Sequence, residues 1–243
     1  GSFQSGSITT IYGNASSGKT TSCLLATIAC AKLCGKIIYV DTEGSFSPER
    51  LKQLYFGDVN AILENIFLLS PKSFEEQDET ILKLHKLCNN ETIKLVVIDT
   101  ISNHYRAILS ENPKEINAKM AEQLANILRI ARDFDKVVIM TNQASARLNE
   151  KDGIRMVGGK MIENMSKCII ELKKTDSKRH ATLIKYKSER KEKNQNFPTK
   201  TANVSKQSND RNVHISRNQF NKKSTNSNGR LRQKKNRRWN SRS

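Results

Sequence analysis

Apolar residues in this chain collect into two kinds of stretch that take turns. Ile8-Thr9-Thr10-Ile11-Tyr12, Lys36-Ile37-Ile38-Tyr39-Val40-Asp41, Asn65-Ile66-Phe67-Leu68-Leu69, Lys94 to Thr100 and Lys136 to Thr141 are short, nearly unbroken and read as strands, the first, second and fourth of them as buried ones. Between them the apolar positions take helical spacing. Thr21 to Leu33 reads as a helix, and Ser47-Pro48 reads as a cap with a first-position proline opening a helix through Arg50, Leu51 and Leu54. Ser73-x-x-Glu76 is a capping box ahead of Ile81, Leu84 and Cys88, and Asn112-Pro113-x-Glu115 caps a long helix with Ile116, Met120, Leu124, Ile127, Leu128 and Ala131 on one face. Strands alternating with helices predict an α/β fold, a mostly parallel twisted sheet flanked by helices. Ala144 to Val157 is polar, lacks a helix or strand signal and predicts a long functional loop ending at Gly158-Gly159. Lys167 to Lys173 and His180 to Lys187 predict a closing hairpin at the sheet edge, its charges guarding that edge.

Charge divides the chain. Of 42 Lys+Arg and 24 Asp+Glu, residues 199–243 hold 13 basic and one acidic, leaving 29 and 23 for residues 1–198, so the net charges are +12 and +6. The last 45 residues are rich in Asn, Ser, Lys and Arg and too poor in apolar side chains to offset their ordering entropy. The expected organisation is therefore a folded core over 1–198 and a disordered basic tail over 199–243. A flexible cationic tail suits a phosphate backbone of almost any shape, and Phe220 and Trp239 alone are too few to read bases by stacking. A solvated solubility tail is the plainer alternative.

Cys23, Cys30, Cys34, Cys88 and Cys168 are odd in number and lack zinc-type pairing, which points to a reducing cytoplasm; the first three recur at near-helical spacing and read as packing residues. No apolar run reaches membrane-spanning length, and no secretory leader is evident. The chain opens Gly1-Ser2 without an initiator Met.

Chemistry concentrates in Gly13-Asn14-Ala15-Ser16-Ser17-Gly18-Lys19-Thr20, which fits G-x-x-x-x-G-K-[ST] in full between a strand and a helix. A triphosphate needs many donors at close range. Glycines let successive backbone N–H groups turn inward, Lys19 reaches the outer phosphates, Thr20 offers its hydroxyl to Mg²⁺, and the following helix aims its positive end at the same anion. The expected nucleotide contacts run from Gly13 through Thr21. Leu95-Val96-Val97-Ile98 running into Asp99 matches the Walker B form, a buried strand delivering one carboxylate to the Mg²⁺ side, although an apolar strand ending in Asp is also common turn chemistry. The acids of Asp41-Thr42-Glu43-Gly44 leave a strand at its C-terminal end, where open α/β sheets bind ligands. Gln143 also ends a strand and could sense a γ-phosphate, or be an ordinary polar loop residue.

Taken in order, the P-loop, Asp41-Thr42-Glu43-Gly44-x-Phe46-x-Pro48-Glu49-Arg50, Leu95-Val96-Val97-Ile98-Asp99, Tyr105-Arg106 and Thr141-Asn142-Gln143 before a loop closing on Gly158-Gly159 resemble the RecA-like recombinase core in its archaeal and eukaryotic branch, over roughly residues 1–190. Within it the chain looks most like the short archaeal paralogues of the main recombinase, through the Leu69-Ser70-Pro71-x-Ser73-Phe74-Glu75-Glu76-Gln77 segment, Ser166 to Leu172 and the lack of an N-terminal helix-hairpin-helix domain. The resemblance implies ATP and Mg²⁺ as cofactors, weak ATP turnover, binding of single-stranded or branched DNA, and a role in DNA repair and homologous recombination without strand exchange of its own. It implies the main archaeal recombinase and a Holliday-junction resolvase as protein partners. By position it makes Glu43 the carboxylate that activates water, Gln143 the γ-phosphate sensor, Arg50 the side chain over adenine, and Lys19, Thr20 and Asp99 the phosphate and metal residues.

The chain departs from that pattern in three places. The P-loop interior is Asn-Ala-Ser-Ser where many relatives carry Pro and more Gly; the stretch before Ile8 is too short for the inter-subunit tether of filament-forming relatives; and the basic tail has no counterpart. Three functions remain open on the residues: a recombination accessory factor, a regulatory ATPase of the same superfamily acting on a protein, and a DNA-binding adaptor with structural ATP.

Overall fold

The computed structural model describes residues 3–146, 154–175 and 178–187, all within the first of the chain's two units, Gly1–Val213, and none within His214–Ser243. In chain order the elements are β1 (Ser7–Gly13), α1 (Lys19–Ala31), β2 (Lys36–Asp41), α2 (Pro48–Leu54), α3 (Val59–Leu63), β3 (Ile66–Leu69), α4 (Phe74–Cys88), β4 (Ile93–Asp99), α5 (Asn103–Ile108), α6 (Pro113–Asp133), β5 (Val137–Ala146), β6 (Ile154–Met156), α7 (Gly159–Met165), β7 (Cys168–Lys174) and β8 (Arg179–Tyr186). Strand order is β3-β2-β4-β5-β1-β7-β8, with β6 paired to β5 beyond this path. All pairings are parallel except β5 with β6 and β7 with β8. This is the mostly parallel, helix-flanked sheet with a hairpin at one edge that the hydrophobic pattern predicts.

The unbroken apolar runs work because each central strand feeds two cores. On β2, Ile38 and Val40 join the core under α4, α6 and α7, while Ile37 and Tyr39 join the one under α1, α2 and α3. On β4, Val96 and Ile98 face the first core and Leu95 and Val97 the second. Side chains of period two thus leave no solvent face, and each fully buried Leu or Ile contributes about 1.5–3 kcal/mol.

The predicted caps are present. Ser47 Oγ accepts from Arg50 N, Ser73 Oγ from Glu76 N, and Asn112 Oδ1 from Glu115 N. Glu76 reaches back one residue further than a standard capping box, accepting from Lys72 N at 2.8 Å.

Two expectations need correction. The ends of the stretch expected to be a loop, Ala144 to Val157, are strand: Ala144, Ser145 and Ala146 pair with Met156, Arg155 and Ile154 in an antiparallel ribbon. Backbone ladders hold this ribbon, so its side chains need no apolar alternation to announce it. Cys34, expected to pack with Cys23 and Cys30, lies past α1 and is exposed; Cys23 is buried and Cys30 half-buried. The boundary expected at residue 198, and the tail after it, lie outside the described residues.

Candidate nucleotide site

Parallel pairing puts the C-terminal ends of β1, β2, β4, β5 and β7 on one edge of the sheet. Register then brings the chemistry together: Gly13 lies beside Gln143 on one flank and Leu172 on the other, and Asp41 lies beside Asp99.

At Gly13 the neighbouring strand approaches so closely that an added Cβ would stand 2.3 Å from the Leu172 carbonyl oxygen and 2.7 Å from Ser17 Oγ. Only glycine fits. Asn14, Ala15 and Ser16 then turn over the exposed mouth, Ser17 returns to the interior, and Gly18 caps α1 at φ 109°, a left-handed conformation that favours glycine. Lys19 opens α1 and folds back, its Nζ donating to the carbonyls of Gly13 at 3.0 Å and Asn14 at 3.1 Å. Burial lowers its pKa, opposed by the nearby charges of Glu43 and Asp99. Thr20 and Thr21 follow in the first turn of α1, which carries no acidic residue.

Asp99 is fully buried at the end of β4. Its carboxylate accepts from Tyr39 Oη at 2.9 Å and from the hydroxyls of Thr141 and Thr20. Burial raises its pKa, while those three donors pull it back. The same burial pushes the Tyr39 phenol far above its ordinary range, so it stays a donor. The chain leaves Asp99 through a cis peptide to Thr100, whose backbone is braced by Thr42: Thr42 Oγ1 donates to the Thr100 carbonyl at 2.7 Å and accepts from Thr100 N at 2.9 Å.

Glu43 meets the cluster from β2. Its Oε1 accepts from Gln143 Nε2 at 2.8 Å and from Thr100 Oγ1 at 3.2 Å. The other end of the Gln143 amide accepts from Arg106 Nη1 at 3.4 Å, so Arg106, Gln143 and Glu43 form one chain of hydrogen bonds. Asp41, 3% exposed, holds the loop carrying Glu43 by accepting from the backbone N–H of Glu43 (3.3 Å), Ser45 (3.0 Å) and Phe46 (2.9 Å).

Lys19, Thr20, Asp99, Glu43 and Gln143, chosen from sequence, thus share one mouth. Arg50 does not join them: it is exposed on α2 and donates to Gln53 Oε1 at 2.6 Å. Sequence reasoning placed Asp41 at the ligand edge without its bracing role and missed Thr42, Thr100, Tyr39 and Thr141 as supports. For the Tyr105-Arg106 motif, the hydrogen bond to Gln143 supplies a role for Arg106.

The residues present fit a magnesium nucleotide. Ser17 Oγ is buried without a hydrogen-bond partner, Gly13 leaves a cradle that a Cβ would fill, and the Thr20 hydroxyl already contacts the Asp99 carboxylate. Among the described residues no group of three or more His, Cys, Asp and Glu could hold a metal by itself, so Thr20 and Asp99 would share one with phosphate oxygens. No helix among the described residues is long and apolar enough to cross a membrane.

The chain is similar to known proteins over most of its length. Residues 1–206 match the Rad51 family model. The chain is 38% identical over 200 residues to the DNA repair and recombination protein RadB of Methanococcus maripaludis strain C5, covering 81% of this chain and 90% of that protein. It is 37% identical over 190 residues to the protein of the same name from Archaeoglobus fulgidus, covering 77% and 83%. A crystal structure of the RadB recombinase superposes with a TM-score of 0.67 at 34% identity, covering 77% of this chain and 84% of that one. A phosphate loop, a buried strand-end aspartate and a carboxylate–amide pair on one sheet edge, with relatives this similar over most of their own length, lead to one conclusion: the chain belongs to the Rad51 family.

Proposed function

We propose that this chain is an ATP- and DNA-binding accessory protein of homologous recombination and DNA repair that hydrolyses ATP slowly and exchanges no strands of its own. The observation carrying the reading is the Glu43–Gln143 pair at the mouth that also holds Lys19, Thr20 and Asp99. In this reading Lys19 binds the outer phosphates, and Thr20 and Asp99 hold Mg²⁺, which when bound offsets phosphate charge. Glu43 takes the proton of the attacking water. Gln143 donates to Glu43 and reports the γ-phosphate to the β5–β6 ribbon that it begins, and Arg106 steadies its far end. Arg50, on an exposed helix surface, covers adenine by exchanging Gln53 for the base.

The names of the similar proteins support repair and recombination as the setting. The main archaeal recombinase and a Holliday-junction resolvase are the protein partners we infer, and single-stranded or branched DNA the nucleic acid. Five free cysteines favour a reducing cytoplasm.

The test is ATP turnover with and without single-stranded DNA, for the parent and Lys19→Ala. The parent hydrolyses ATP slowly, and at a hundredfold excess of Mg²⁺-ATP over Kd it gains about 2.7 kcal/mol of stability, read as a rise in Tm. Lys19→Ala melts like the ligand-free parent and gains nothing. Equal stabilisation of both would remove the P-loop from the mechanism, and binding without turnover would leave a DNA-binding adaptor with structural ATP.

A further inference from the structure

Arg179, the first residue of β8, extends its side chain over the P-loop from outside. Its Cδ and Nε lie 3.7 Å and 4.0 Å from the point where a Cβ on Gly18 would stand. Gly18 is the N-cap of α1, so the guanidinium sits at the positive end of that helix, next to Lys19, with no acidic residue in the first turn. A helix N-terminus disfavours a cation at close range unless an anion lies between them. Among the described residues no ion pair or hydrogen bond occupies the Arg179 side chain.

Its position comes from the sheet. Arg179 pairs with Lys174 across the β7–β8 hairpin, and β7 lies parallel to β1 with the Leu172 carbonyl pressed against Gly13. Tyr12 Oη ties the same strand down by donating to Glu171 at 3.0 Å. The hairpin and the phosphate loop therefore share one rigid frame, and the arginine that leads β8 is built on that frame.

We propose that Arg179 is a nucleotide ligand supplied in cis, closing the P-loop from its open side and contacting the phosphate chain that ADP and ATP share. The inference rests on the nucleotide-binding reading above. The P-loop amides cradle the α- and β-phosphates, and Gly18 belongs to that cradle. An arginine over Gly18 thus meets oxygens present in any nucleoside diphosphate or triphosphate, whereas Gln143 and Glu43 face the γ-phosphate side. Arg179 raises affinity for both nucleotides without discriminating between them, and its planar fork suits two phosphate oxygens at once.

The experiment is titration of the full chain with Mg²⁺-ADP and with Mg²⁺-ATP, followed by calorimetry, for the parent, Arg179→Ala, Arg179→Lys and Lys19→Ala. Arg179→Ala should weaken both nucleotides by about tenfold or more, the effect of deleting one or two charge-assisted hydrogen bonds, while its ligand-free Tm matches the parent because the side chain is exposed. Arg179→Lys should recover part of that affinity. Parent affinity for both nucleotides in Arg179→Ala would overturn the role of Arg179 and leave the P-loop reading standing. A parent that binds neither nucleotide, or binding that Lys19→Ala leaves intact, would overturn the P-loop reading and the proposal with it.

Discussion

Glu43 is exposed, yet both neighbours of its Oε1 are donors, the Gln143 amide and the Thr100 hydroxyl. A carbonyl oxygen can accept from the same two groups, so Glu43→Gln preserves the contacts and removes only the capacity to take a proton. Nucleotide affinity should stay within about twofold of the parent while single-turnover hydrolysis falls by roughly 10²–10⁴, the usual contribution of a positioned base. Undiminished turnover would mean that another group activates water. At Asp99 the balance is different. Burial pushes the Asp99 carboxyl up, with the nearby Glu43 charge adding to the shift, and its three hydroxyl donors oppose it by favouring the charged form beside Thr20.

Among the elements, the loop between β2 and α2 shows how a strand end becomes a site. Asp41 takes three backbone N–H groups of that loop and is almost wholly buried, so Asp41→Ala strands donors that only water could then satisfy. The cost should be about 2–3 kcal/mol, a fall in Tm of roughly 5–10 °C. Because the loop carries Glu43, turnover should drop further than ATP affinity; steady-state hydrolysis beside equilibrium binding checks this, and an unchanged ratio of the two would dismiss Asp41 as a positioning residue. Legibility from sequence follows signal length. Lys36–Asp41 and Leu95 to Asp99 are plain because a run of apolar residues ends in an acid, and Ser47, Ser73 and Asn112 are plain because a cap needs one side chain and one spacing. The α3, α5 and α7 helices have five to seven residues, too few for a periodicity to register. The supports of Asp99 are hidden for another reason: Tyr39 and Thr141 look like ordinary strand residues until register sets them beside it.

For the whole molecule the uneven charge matters most. With +12 over residues 199–243, removing that tail should weaken single-stranded DNA binding and flatten its salt dependence by about 0.7 in log–log slope for each phosphate no longer neutralised, leaving turnover unchanged. An unaltered slope would make the tail inert toward DNA and turn attention to the β5–β6 ribbon. The sheet order carries a consequence of its own. β1 is made first and bears the phosphate loop, yet it sits between β5, which begins at Val137, and β7, which begins at Cys168. At about 5–20 residues per second a ribosome takes on the order of ten seconds to deliver its first neighbour. For that interval a nascent chain carries β1 with both edges open, and the mouth that gathers Lys19, Asp99, Glu43 and Gln143 is completed only after β5 has been made.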